Sequence, residues 1–240
     1  MLTWENTWTE IADAGVRTAV LPIGATEQHG TNLPLLTDTL LAEVVAAAIA
    51  RDLNAYLLPA LPVGSSATHL SFPGTLSLRH ETLAAVITDL VESLVATGFD
   101  RVALVSMHGG NYVVWSDLPG RLEQAHPGLR VAVLHLNRLW DEASRAAGIL
   151  TDEMHSGECE ASALAALRPD LVRPGAVDFP EPHKHLHGVP VTQTGFPQDV
   201  RQVSPLGALG EPSRGSKEKG ERFWQAFLPL AIANIREQLS

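Results

Sequence analysis

The sequence predicts an α/β fold: a single domain over residues 1–240, with a mainly parallel sheet and helices on both faces. Three observations predict it. Short apolar runs such as TAVLPI (18–23) and RVALVS (101–106) lack the polar alternation of a half-exposed strand, so they read as strands covered on both sides. Those runs alternate with longer stretches whose apolar residues recur at helical spacing. Finally, 240 residues that are 45% hydrophobic and 18% charged can bury one substantial core.

Taken in order, residues 4–14 read as a short amphipathic helix with Trp4, Trp8 and Ile11 on one side, both tryptophans being packing residues. The strand 18–23 follows, then the loop GATEQHGTNLPLLTDT (24–39). A helix over 38–53 starts there, with Thr37 or Asp38 placed to cap it. Residues 55–63 form a second strand-like run containing Pro59 and Pro62, and 64–78 is polar and turn-rich. In that stretch FPGT (72–75) suits a type II turn, and His69 beside it is either a surface residue or one that faces a site. A helix over 81–97 stops at Gly98, and the strand 101–106 runs into MHGGN (107–111).

Further elements are a helix over 113–125, a strand over 129–134 and a helix over 138–147. TDEMHSGECEASALAAL (151–167) begins polar and becomes helical. Residues 170–216, rich in proline and glycine, read as an irregular excursion with some strand. The chain closes in a helix over 217–239 in which Pro229 marks a kink or break.

Several function classes are disfavoured at this point. The net charge is −10 and no basic stretch offsets it, so nucleic acid is not expected as a partner. No apolar stretch is long and charge-free enough to cross a membrane, and the N-terminus has no signal-peptide pattern. A lone cysteine, Cys159, rules out an intrachain disulfide and a cysteine-based zinc framework, and it fits a cytoplasmic location. Cys159 lies between Glu158 and Glu160, acids that raise a thiol pKa and disfavour a nucleophile.

In a parallel sheet the ligand site lies beyond the carboxyl ends of the strands. The segments EQHG (27–30) and HGGN (108–111) both follow predicted strands, so they should meet on one edge. Glu27 and His29, two apart, point to the same side of an extended segment. Asp38 begins a helix, where the dipole favours a carboxylate. His108 offers a further nitrogen and Glu160 a further oxygen, and such groups are what divalent metals take.

Two divalent ions would be balanced by the carboxylates of Glu27, Asp38 and Glu160 plus a bridging hydroxide, a neutral set that a partly buried cluster tolerates. Each residue alone has a simpler reading: Asp38 as an N-cap, His29 and His108 as hydrogen-bonded loop residues, Glu160 as a surface acid. Gly109 and Gly110 could turn backbone N–H groups toward an oxyanion, or could serve a tight strand-to-helix turn. HKHLH (183–187) reads as a solvated loop or subunit contact rather than a metal tract.

LPIGATEQHG, LPLLTD, HLSFPGTLSL, MHGGN and HSGECEASALAALRPDLV together resemble the creatininase family, the creatinine amidohydrolases. The resemblance implies a dinuclear metal hydrolase on an α/β fold, with two divalent ions: zinc first, manganese or iron as alternatives. It implies that Glu27, Asp38 and His108 hold one ion, that His29, Asp38 and Glu160 hold the other, and that His155 shuttles a proton near the substrate. It also implies a homo-oligomer, often a hexamer.

Departures from the family pattern exist. Gly110 stands where creatininase proper has an acid, which argues against creatinine itself. The usual GPHLPL is here Gly30-Thr31-Asn32-Leu33-Pro34-Leu35, and the usual HAG is His155-Ser156-Gly157. The activity expected is hydrolysis of a C–N bond in a small cyclic amide, a formamide or a related amide. Alternatives are a peptidase of a small peptide in the same family, and a metal-binding regulatory protein without turnover.

Overall fold

The computed structural model describes residues 1–149, 153–192 and 195–240. In chain order the elements are β1 (Leu2–Thr3), α1 (Trp8–Asp13), β2 (Thr18–Ile23), α2 (Thr37–Asp52), β3 (Tyr56–Leu57), α3 (His80–Ala96) and β4 (Arg101–Ser106). There follow α4 (Tyr112–Trp115), α5 (Leu118–Ala125), β5 (Arg130–Val133), α6 (Leu136–Ala147), α7 (Glu158–Leu167), α8 (Val200–Val203) and α9 (Lys217–Leu239). The strands form one five-stranded sheet in the order β1-β3-β2-β4-β5, with every pairing parallel.

Side chains of β2 and β4 alternate between two cores. Val20, Ala103 and Val105 join residues of α2, α6, α7 and α9 on one face. Ala19, Leu21, Ile23, Val102 and Leu104 join residues of α3 and α5 on the other. Both faces are covered, which is why neither strand carries polar alternation. β2 and β4 pair along their whole length and end together at Ile23 and Ser106, so the two following loops leave the sheet side by side.

Several elements differ from the sequence expectation, each for a local reason. The run 55–63 gives only the short β3, because Pro59 and Pro62 cannot donate ladder hydrogen bonds; Leu61 adds an isolated bridge to Ile23. The helix expected over 113–125 is two helices, since Pro119 opens α5 as a first-turn residue. α9 runs through Pro229 without a break. Trp4 and Trp8 are not packing residues: they are 51% and 80% exposed. α1 has no fully buried residue: Ile11 packs partly buried against the core, and a capping box closes the helix start, with the Thr7 N–H donating to Glu10 Oε2 and the Glu10 N–H to Thr7 Oγ1.

Among its described residues the excursion 170–216 forms isolated bridges and short helical turns rather than strand. His183, His185 and His187 are exposed, with the His185 ring against Phe179. Thr151 and Asp152, expected to open the segment before α7, lie outside the described residues.

α7 and α9 cross closely. A Cβ on Gly220 would lie 1.9 Å from the Ser162 carbonyl oxygen, so only glycine permits this approach. The Trp224 indole N–H donates to the Ala163 carbonyl at 3.0 Å and fixes the register of the crossing. This crossing matters for the site because α7 carries Glu160. Among the described residues, no helix is long and apolar enough to cross a membrane.

Candidate metal centre

Glu27, His29, Asp38, His108, His155 and Glu160 converge at the carboxyl edge of β2 and β4. The first four are buried, and Glu160 has a small exposed fraction. They reach this edge from four places: the loop after β2, the first turn of α2, the end of β4, and the loop and first turn of α7.

Asp38 is not a helix cap. α2 starts at Thr37 with Leu36 in the cap position and no side-chain cap bond. The Thr37 hydroxyl donates to the Pro34 carbonyl instead. The Asp38 carboxylate is thereby left free to face two imidazoles. Gly24 permits this placement, since a Cβ there would lie 2.3 Å from Thr39 Oγ1 and push α2 away from the end of β2.

Asn111, the last residue of HGGN, ties the strand ends together. Its amide donates to the Gly24 carbonyl and the Ser106 hydroxyl, and its carbonyl accepts the Ser65 N–H. The three segments after β2, β3 and β4 are thus locked to one buried side chain.

Asp38 Oδ1 lies 3.2 Å from His29 Nε2, and Oδ2 lies 3.1 Å from His108 Nδ1. Glu160 Oε1 is 3.7 Å from His29 Nε2, and Glu27 Oε2 is 3.5 Å from His108 Nε2. Candidate ligand atoms group as Glu27, Asp38 and His108, as His29, Asp38 and Glu160, and as Glu27, His29 and His155, in each case within 4.8 Å of one another. Asp38 belongs to the first two groups, one through each face of its carboxylate.

The imidazoles are oriented from behind. His29 Nδ1 contacts the Glu27 carbonyl at 3.0 Å, an acceptor, so the proton sits there and Nε2 presents its lone pair. His108 Nε2 contacts the Ser65 carbonyl at 2.9 Å, which leaves the Nδ1 lone pair toward Asp38. Lone pairs then face carboxylate oxygens. Among the described residues, Glu27 Oε2, His29 Nε2 and Asp38 Oδ2 are buried without a hydrogen-bond partner. Orphaned acceptors aimed at one another are destabilising unless a cation, a proton or a metal, lies between them. The donor set, carboxylate and imidazole, fits divalent ions.

Without an ion, protons fill that role. Burial pulls the pKa of His29 down, but Asp38 and Glu160 together outweigh it and hold it well above the ordinary value. Burial likewise opposes charge on His108, yet Glu27 and Asp38 raise it to about 9. Burial pushes Glu27 up, only partly offset by His108. For Asp38, burial is overcome by His29 and His108, which hold it below the carboxylate range. His155 is the opposite case: burial first, and then His29, depress it to about 4, so it is neutral.

The two glycines differ. A Cβ on Gly110 would meet the Ser65 carbonyl at 2.1 Å and His108 Nε2 at 2.5 Å, so a glycine there is explained by the tight turn that seats His108. Gly109 is exposed and has open space around it. Cys159 is buried against Ser144 Oγ, and burial more than the neighbouring acids raises its pKa.

Further participants lie beyond the expected ligand set, and for His69 the second of its two sequence readings, a residue facing the site, is the one that holds. His69 is buried at the site, 3.3 Å from Glu27 Oε1. Gln28 contacts both His69 and His155. Glu153 accepts the N–H groups of Glu158 and Cys159 at the start of α7, whose cap residue Gly157 has no side chain. The excursion also returns here: Leu209 exchanges backbone hydrogen bonds with His155, and the Gly207 carbonyl receives the Gln28 amide. The signal that could have found His69 is its place after β3, on the same sheet edge as Glu27.

A family-wide sequence profile, Creatininase (creatinine amidohydrolase), matches residues 4–235. The chain belongs to the creatininase family. It is 30% identical to the creatinine amidohydrolase of Pseudomonas putida over 99% of this chain and 95% of that one. It is 29% identical to the mycofactocin precursor peptide peptidase of Mycobacterium ulcerans (strain Agy99), over 90% and 83% respectively. A solved creatinine amidohydrolase (creatininase) superposes with a TM-score of 0.84 at 26% identity, covering 99% of this chain and 98% of that one.

Two further solved structures are metal forms of creatininase. One is a manganese form, with a TM-score of 0.81 at 27% identity, and the other a mutant of Zn-Zn type, at 0.83 and 26%; each covers 99% of this chain and 98% of its own. Creatininase-family members are metal-dependent amidohydrolases, and this chain is a hydrolase of C–N bonds on that fold.

Proposed function

We propose that the chain holds two divalent ions, zinc first, and hydrolyses a small amide: a cyclic amide, a formamide or a related compound. The observation that carries the reading is the Asp38 carboxylate, whose two oxygens face two separate ligand groups. Glu27, Asp38 and His108 would hold one ion, and His29, Asp38 and Glu160 the other. The ions supply activation of water at neutral pH and polarisation of the scissile carbonyl.

His155 moves the proton. Its Nε2 is anchored 2.7 Å from the Gln28 carbonyl, so that nitrogen carries hydrogen and Nδ1 turns to the site, 3.5 Å from Glu27 Oε1. A neutral imidazole in that tautomer can take a proton at Nδ1 and return it to a leaving nitrogen. Gly109, exposed with open space around it, would offer its backbone N–H to a developing oxyanion, whereas Gly110 serves the turn.

A peptidase acting on a short peptide is the second reading, favoured by the similarity to the mycofactocin precursor peptide peptidase. A homo-oligomer, often a hexamer in the family, is part of the proposal. Elemental analysis of the purified protein should give about two metal ions per chain, and Asp38→Ala should lose both. A panel of cyclic amides, formamides and short peptides then separates the substrates. Retention of stoichiometric metal by Asp38→Ala would reject the shared carboxylate.

A further inference from the structure

The side chain of Gln28 sits at the centre of a hydrogen-bond network whose logic has one solution. Its Oε1 lies 3.0 Å from the Gly30 N–H, which can only donate. Its Nε2 lies 3.2 Å from the Gly207 carbonyl, which can only accept. These two backbone groups fix which end of the amide is which. One amide hydrogen goes to Gly207. The other has two candidates, His69 Nδ1 at 2.7 Å and His155 Nε2 at 3.1 Å.

His155 Nε2 is excluded as an acceptor, because it lies 2.7 Å from the Gln28 backbone carbonyl and must donate there. The remaining amide hydrogen therefore goes to His69 Nδ1. A neutral His69 then carries its own proton on Nε2, which lies 3.3 Å from Glu27 Oε1. The His69 contact thus falls on Oε1, while Oε2, 3.5 Å from His108 Nε2, is buried without a hydrogen-bond partner among the described residues.

We infer that His69 is a positioning residue for Glu27: Gln28 locks it as the Nε2–H tautomer, and that polar N–H, on a nitrogen 3.3 Å from Oε1, holds Oε1 and leaves Oε2 as the oxygen offered to the metal. This rests on the proposed metal site and adds to it a carrier that touches no ion. The backbone carbonyl of the same residue takes the His155 Nε2 proton and leaves the Nδ1 lone pair free, so Gln28 sets the tautomer of His69 through its side chain and that of His155 through its main chain. The network is crowded as well as directed. A Cβ on Gly207 would lie 1.9 Å from Gln28 Oε1, so the loop that brings Gly207 in closes on the amide with no room to spare.

Two measurements test the inference. In the full-length protein stripped of metal, ¹⁵N chemical shifts of the His69 ring should show Nε2 protonated and Nδ1 bare. In Gln28→Glu, which offers an acceptor where the amide donated, the pattern should invert. In zinc titrations, His69→Ala should bind roughly 10- to 100-fold more weakly than wild type. His69→Gln, which keeps an N–H donor near the position of Nε2, should recover most of that loss.

A proton on His69 Nδ1 in the wild type overturns the inference, as does equal zinc affinity for wild type and a folded His69→Ala. Should His69→Ala fail to fold, the wild-type ring shifts and His69→Gln still decide. A wild-type protein that takes up no stoichiometric zinc rejects the metal site instead, and the tautomer measurement remains a separate test of the network.

Discussion

Raising the pH of the metal-free protein from 6.5 to 9 should destabilise it, and metal should abolish the effect. The sign follows from His108, whose folded-state pKa is raised from 6.5 to about 9 by Glu27 and Asp38 against the opposing pull of burial. In this window the folded chain holds a proton that the unfolded chain releases, so stability falls as pH rises. The stabilisation is complete below pH 6.5 and lost as pH passes about 9. His29, also raised, adds in the same direction.

Below 6.5 the trend is mixed: Glu27 and Glu153, both raised to about 7, oppose the depressed His155 and His69. Above 9 the buried Cys159 thiol contributes as well. The interval between is therefore the informative one. A rise of two and a half units on His108 alone corresponds to about 3 kcal/mol. For a chain of this length that is a fall of roughly 6 to 12 °C in Tm. Thermal or urea unfolding after chelation measures it, with a zinc-loaded sample as the control. With metal bound, the imidazoles are ligands and hold no proton, so the slope should vanish and metal uptake near pH 7 should release protons. A chelated protein whose stability is flat or rises across the window would refute the shared proton between His108 and its carboxylates.

Gly220→Ala should cost about 1–3 kcal/mol by forcing α7 away from α9, and should weaken zinc binding through Glu160; denaturant midpoints and zinc titrations check both. Ser156 has φ 50° and a buried hydroxyl without a partner among the described residues, so Ser156→Gly should stabilise by about 1 kcal/mol in thermal unfolding. Asn111→Ala leaves the buried Ser65 N–H and Gly24 carbonyl without their side-chain partner and should cost about 1–3 kcal/mol. It should also lower zinc affinity, although Asn111 is not a candidate ligand, which calorimetry on a folded sample would detect.

How much of this could be read from residue order depends on how local each cause is. β2 and β4 were expected with the bounds they have, because a strand covered on both faces leaves an unbroken apolar run. The candidate ligands were legible because each follows such a strand or opens a helix, and a parallel sheet brings strand ends together. Asp38 was legible as either cap or ligand. Only the helix start at Thr37, with Thr37 bonded back to Pro34, removes the first option.

What was not legible depends on distant chain. Trp4 and Trp8 carry the periodicity of packed residues, yet α1 meets the core through Ile11 and leaves both tryptophans exposed. The excursion 170–216 offered no pattern to show that Leu209 would pair with His155, or Gly207 with Gln28. Gln28 itself lies between two candidate ligands, and alternation points it away from them. That position is what lets it reach His69 and His155 from behind.

The placement of ties and ligands explains how carboxylates and imidazoles can be assembled before an ion arrives. Carboxylates brought this close repel, and loops carrying them would part unless held. Asn111 holds the loops after β2, β3 and β4 together through backbone groups alone. Gly24 and Thr39 hold the start of α2 against the end of β2, with the Thr39 hydroxyl donating to the Ala25 carbonyl. Glu153 and the α7–α9 crossing hold Glu160. None of these contacts uses a candidate ligand atom, so none would compete with a metal. The remaining electrostatic cost falls on the candidate ligands, where the raised pKa values of His29 and His108 offset it by keeping protons. Metal binding at such a site is an exchange of protons for ions on a frame already in place, and its affinity should therefore follow pH more steeply than it follows changes in the surrounding loops.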